Sequence, residues 1–312
     1  MRRRRRGALA RDEDGVRTAS MSRNQGQSLV GALPELLPWA EQRVSTWATA
    51  WEKAAALAPN PPIPLMDLVP AKGNDPEASS PKLGPFETTF GAWVYDKGYR
   101  QLFRMLGYPG PDAEATLAAE VLSNTKGRAD DSAKILDLSC GPGLVTTRLA
   151  EAIDGFDTLI ASDVSEAMVR RTADQINTLV LDRRAAGMSF AAVRADVGEL
   201  PFASASLAAV HSSAGAHCWP DAAKGFGEVA RVLRPKGTFV MSTVVLAGPM
   251  KEKYGEMGKA RDAREYDENV REMNTPFWDS AAVAGMLEDA GFVEVEVVKE
   301  DKCFVMLSAR KP

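Results

Sequence analysis

Residues 135–143 read Ile135-Leu136-Asp137-Leu138-Ser139-Cys140-Gly141-Pro142-Gly143, an apolar strand-like run that breaks into a glycine-rich turn and resumes from Leu144 with helical spacing. The order strand, turn, helix aims backbone N–H groups and side-chain-free glycines at a ligand. Any α/β protein can use such a turn, so its surroundings decide what it means. Downstream, Ile160-Ala161-Ser162-Asp163 puts an acid at the end of the second expected strand, where Rossmann-like folds hydrogen-bond the two hydroxyls of a ribose. Asp196, between Ala195 and Val197, falls just past the third. Its carboxylate either accepts from an adenine amino group or caps its own loop. A dinucleotide fold would use the same acid as Asp163, but its fingerprint asks for a third glycine where this chain has Thr146. A nicotinamide-dependent oxidoreductase is therefore the second reading.

Working outward, short β-branched runs alternate with longer helical ones after Ala133, which predicts an α/β fold with a mainly parallel sheet and helices on both faces. Strands are expected at 134–138, 157–162, 188–194, 207–212, 237–245, 293–299 and 302–309. Only Glu300 and Asp301 separate the last two, too few for a crossover, so they must pair as an antiparallel hairpin.

Of 312 residues, 45% are hydrophobic and 26% charged, enough to bury a real core. The longest apolar stretch, 238–247, is too short to cross a bilayer, so no transmembrane segment is expected. A formal charge of −4 gives nucleic acid no long-range attraction, and none is expected as a partner. Cys140, Cys218 and Cys303 are scattered and form no metal-binding spacing, which fits a reducing, cytoplasmic setting. Residues 1–33, opening with Arg2 to Arg6, read as a disordered or targeting segment. Over 34–58, Leu36, Leu37, Ala40, Val44, Trp47 and Trp51 recur at helical spacing. That Trp-bearing face should pack on its own domain or on a second copy as a homodimer. Pro59, Pro61, Pro62, Pro64, Pro70, Pro76 and Pro81 make 59–85 a linker. The catalytic domain is expected over 86–312, with 246–275 as a charged, lid-like insert.

Taken jointly, Asp137 to Gly143, Asp163, Ala195-Asp196 with Leu200-Pro201-Phe202, and Val232 to Gly237 resemble the ubiquinone/menaquinone-biosynthesis type of class I S-adenosylmethionine-dependent methyltransferase. Within that group, Tyr95 to Phe103, Gly107 to Asp112, Val210-His211, His217-Cys218-Trp219-Pro220 and Ala309 to Pro312 are most similar to uncharacterised plastid methyltransferases of plants and algae. The resemblance implies a Rossmann-like seven-stranded sheet, S-adenosylmethionine as cofactor with S-adenosylhomocysteine as product, a small-molecule acceptor (a quinol, phenol or thioether) and a chloroplast location. It implies cofactor contacts at Asp137, Ser139, Cys140, Gly141, Gly143, Asp163, Val164, Met168, Ala195, Asp196, Val197 and Ser212. In one departure, Ser139 stands at the first glycine of the family's Asp-x-Gly-x-Gly-x-Gly. The stretch after the fourth strand faces the reacting methyl in this family. It holds both histidines of the chain, His211 and His217, which join Tyr95 as candidate catalytic groups. A histidine there is as often a cap or a satisfied core residue. Tyr99, Arg100, Trp219, Tyr254 and Tyr266 are candidate acceptor contacts, and Pro220 suits the first turn of a helix ending at Leu233. A non-catalytic scaffold that keeps the fold is the third reading.

Overall fold

The computed structural model describes residues 33–55, 62–70, 100–123, 133–246, 277 and 279–312. Its strands are β1 (Leu65–Asp67), β2 (Lys134–Leu138), β3 (Thr158–Asp163), β4 (Ser189–Arg194), β5 (Leu207–Ser213), β6 (Leu233–Val244), β7 (Val293–Asp301) and β8 (Phe304–Arg310). They form one sheet in the order β1-β4-β3-β2-β5-β6-β8-β7. The first six run parallel, and β8 pairs antiparallel with both β6 and β7. The seven expected strands are all present and an eighth joins them. The closing turn is Lys302-Cys303, two residues later than expected, with Lys302 in the left-handed region at φ 54°.

The period-two alternation of β2 sends Leu136 and Leu138 to one face and Ile135 to the other. On the first face they pack with Phe239, Met241, Phe226 of α7 (Ala222–Val232) and Val283 of α8 (Ser280–Asp289). On the second, Ile135, Ala209 and Val240 meet α3 (Pro111–Ser123), α4 (Leu144–Ala152) and α5 (Glu166–Leu179). Chain order reverses at β2, which has β3 on one side and β5 on the other, so a crevice opens at the strands' C-terminal ends. Asp221 caps α7 by accepting from Lys224 N at 2.9 Å. Pro220 therefore precedes the cap instead of lying in the first helical turn.

The segment before residue 70 differs most from the sequence reading. Within the stretch expected as a linker, β1 pairs parallel with β4 as the sheet's edge strand. Its prolines do not prevent this: Pro62, Pro64 and Pro70 flank the three strand residues, and an edge leaves one side unpaired. Arg194 Nη1 to Asp67 Oδ2 at 3.0 Å and Leu68 N to Arg194 O at 2.8 Å reinforce the pairing. Helix α1 (Pro38–Ala55) buries Ala40, Val44 and Ala48 in the same core cluster as Leu136 and Phe202. Its inner face thus packs on its own sheet. Leu37 N donates to Pro201 O at 2.8 Å and Ala203 N to Glu35 O at 2.7 Å, so the chain just before α1 is held as well. Helices α2 (Arg100–Met105), led by Arg100, and α6 (Leu181–Ala185) complete the described elements. Among described residues no helix is long and apolar enough to cross a membrane.

Leu68 is 1% exposed. Leu68→Ala should cost roughly 2–5 kcal/mol in chemical denaturation, as a core leucine does. A change within about 0.5 kcal/mol would return this segment to the status of a linker.

Candidate active site

The crevice is walled by the turn after β2, the ends of β3 and β4, and the 213–220 stretch after β5, and encloses about 960 Å³ with its open mouth included. Of the twelve expected cofactor residues, Ser139, Cys140, Gly141, Asp163, Val164, Met168, Ala195, Asp196 and Val197 line it. Trp219 and Pro220 form the opposite wall together with Ser213, Ala214, Gly215 and Cys218.

Asp163 is held at the mouth of the glycine turn. Its Oδ2 accepts from Gly141 N at 3.0 Å and its Oδ1 from Ser165 N at 2.9 Å, so β3, the turn and the start of α5 meet on one carboxylate. Burial raises its pKa above the usual carboxylate value, against the lowering effect of those N–H donors. The two glycines have separate roles. Gly141, at φ 55°, has open space where a Cβ would project, which leaves room for a ligand against the backbone. Gly143, at φ 89°, packs on α5 instead: a Cβ there would sit 3.1 Å from Thr172 Cα. Asp196 lines the crevice while its Oδ1 accepts from Gly198 N at 2.8 Å, so it caps its loop as well. Burial, with Asp163 and Asp137 nearby, pushes the Cys140 thiol well above its ordinary pKa and keeps it protonated.

Three expected cofactor residues lie behind the wall. Asp137 is buried, its Oδ2 accepting from Thr146 Oγ1 at 2.6 Å and its Oδ1 lying 2.8 Å from His211 Nδ1. Thr146 thus uses its hydroxyl to tie α4 to β2, at the position where a dinucleotide fold needs a glycine. His211 is wholly buried in the same layer, and Ser212, also buried, gives way to its neighbour Ser213 on the wall. His217 sits in a 3₁₀ turn (Ala216–Cys218), half-buried, its Nδ1 3.3 Å from Thr243 Oγ1. Desolvation lowers its pKa to about 4, so the ring is neutral at neutral pH. Tyr95, Tyr99, Tyr254, Tyr266 and nearly all of the 246–275 insert lie outside the described residues.

Two features were missed by sequence reasoning. Glu114, in the first turn of α3, looks like an acid placed to suit a helix N-terminus. It is wholly buried, and its Oε1 accepts from Ser213 Oγ at 2.7 Å and from Ser242 Oγ. The available signal was its place on the apolar stripe with Ala115, Ala118 and Leu122. The other is the bond from Trp219 Nε1 to Ser139 Oγ at 2.9 Å, which joins the two walls.

Residues 135–237 match a family described as a methyltransferase domain. An uncharacterized chloroplastic methyltransferase of Arabidopsis thaliana is 33% identical over 252 residues, covering 79% of this chain and 66% of the relative. A second from the same plant is 32% identical over 228 residues, covering 73% and 59%. The chain belongs to the S-adenosylmethionine-dependent methyltransferases. It spans about three fifths to two thirds of the length of these relatives. The solved CurJ carbon methyltransferase is 13% identical with a TM-score of 0.53, covers 73% of this chain and 61% of its own, and shares the methyltransferase fold. The family's cofactor is S-adenosylmethionine, and the open space at Gly141 beside the acceptor-only carboxylate of Asp163 suits its adenosyl group.

His217 generates a prediction of its own. The unfolded imidazole takes a proton near pH 6.5 and the folded one only near 4, so stability falls as pH drops through that window. His217→Gln should flatten the decline in melting temperature between pH 6.5 and 4. An unchanged pH profile would mean that the folded imidazole titrates like the unfolded one.

Proposed function

We propose that this chain transfers the methyl group of S-adenosylmethionine to a small-molecule acceptor entering beside the 213–220 stretch. The observation that carries this reading is the placement of Asp163 at the C-terminal end of β3 against Gly141 N–H. The carboxylate keeps lone pairs for the ribose hydroxyls, Asp196 and Val197 flank the adenine, and the wall from Ser139 to Trp219 takes the remainder. When bound, the sulfonium supplies a methyl already activated for attack, so the chain's own task is to hold an acceptor in line and exclude water. Trp219 and Pro220 give the acceptor side of the crevice an apolar character that fits a largely apolar acceptor.

A phenol or quinol must lose a proton, whereas a thioether has none to lose. With a pKa near 4, His217 is a weak base. It is not among the residues lining the crevice and its Nδ1 faces Thr243 Oγ1, so its proposed role is to brace the 213–220 wall, leaving the rate to follow the acceptor's own ionisation. Asp137 and His211 are proposed to stiffen the floor beneath the glycine turn. The chloroplastic relatives support a plastid location. The charge balance supports a small-molecule partner over nucleic acid.

S-adenosylhomocysteine should raise the melting temperature and NAD should not. Asp163→Ala should weaken S-adenosylhomocysteine at least about tenfold, the loss expected from charge-assisted hydrogen bonds, while the domain stays folded. Stabilisation by NAD alone, or full affinity in the variant, would overturn the reading. Methyl transfer assayed side by side on quinols, phenols and thioethers identifies the acceptor class.

A further inference from the structure

Ser139 has a left-handed backbone at φ 57°, a conformation that glycine adopts freely and that serine adopts only at a cost. The methyltransferase pattern places glycine at this position. Its hydroxyl accepts from Trp219 Nε1 at 2.9 Å, and both residues line the crevice, Ser139 from the turn after β2 and Trp219 from the stretch after β5. Two glycines fit the pair closely. A Cβ at Gly225 would come within 2.6 Å of Trp219 Cε3, so the indole packs closely against the α7 backbone. A Cβ at Gly215 would come within 2.7 Å of Ser139 Cβ. Phe226 packs edge-on to the indole with centroids 5.4 Å apart, which further limits its orientation.

We infer that Trp219 is a positioning residue whose bond to Ser139 latches the acceptor-side loop onto the cofactor turn and shapes the subsite for the methionine end of the cofactor. The inference rests on the proposed function above and deepens it. Across the sheet the strands run β4, β3, β2, β5. With adenine at Asp196 after β4 and ribose at Asp163 after β3, the rest of the ligand extends over the β2 turn towards β5. The Trp219 Nε1–Ser139 Oγ bond lies there, on the β2 turn, while the far edge of the indole packs near Val197. The serine hydroxyl thus replaces backbone freedom with a fixed tie between the two loops.

The test compares Trp219→Phe, Ser139→Gly and the double variant for binding of S-adenosylhomocysteine and of 5′-methylthioadenosine, which lacks the amino and carboxyl groups. Each single variant should weaken S-adenosylhomocysteine about fivefold, the scale of one neutral hydrogen bond, and change 5′-methylthioadenosine less than about twofold. The double variant should be no weaker than the worse single one, because both remove the same bond. Ser139→Gly also relieves the left-handed backbone, so its melting temperature should hold or rise and its affinity loss is not one of folding. Equal losses for both ligands, additive losses, or unaltered S-adenosylhomocysteine affinity in the variants would overturn the latch alone. A wild type that binds no S-adenosylhomocysteine would overturn the proposed function and the latch with it.

Discussion

The arrangement of the site depends on the carboxylate of Asp163. Its two oxygens take the N–H groups of Gly141 and Ser165, while Cys140 N donates to Ser162 O at 2.9 Å. Together these bonds fix the turn after β2 against the end of β3, and so fix the open space above Gly141. A desolvated carboxylate is costly to keep, and the raised pKa records that cost. Residues that trade stability for ligand contacts cluster at functional sites. Asp163 lines the crevice, whereas the buried Asp137 lies behind it, bonded to Thr146 and His211.

Much of this was legible in the sequence, and the reasons are physical. A strand buried on both faces followed by a glycine turn and a helix has few alternatives, so β2 appeared at the expected residues. The acid ending β3 followed from the same logic. The hairpin was legible because two residues cannot span a crossover. What stayed hidden depended on tertiary partners. Proline content suggested a linker at 59–85, yet an edge strand needs hydrogen bonds on one side only, and three residues between prolines suffice. Alternation along β5 could be read, but which of Ser212 and Ser213 faces the crevice depends on the bend at Ala214, which has φ 52°. Glu114 could not be singled out from the sequence because its partners, Ser213 and Ser242, are distant along the chain.

The family likeness and the geometry also divide the work between them. The family accounts for the sheet, the turn and the acid at the end of β3. The geometry accounts for what is particular to this chain: Thr146 bonded to Asp137, Glu114 beneath Ser213, and Trp219 fastened to Ser139. Ser213, Trp219 and Ser139 all line the crevice, with Glu114 behind Ser213. Side-chain hydrogen bonds spanning two elements hold a wall more firmly than backbone contacts at one loop, and a rigid wall suits a reaction in which alignment supplies most of the rate.

A crystal structure of the chain with S-adenosylhomocysteine tests the central claim most directly. The account predicts the ribose hydroxyls within about 2.7 Å of the Asp163 carboxylate, the adenine beside Asp196 and Val197, and the homocysteine over Ser139 towards Trp219. A ligand seated elsewhere, or a ribose that does not touch Asp163, would contradict it.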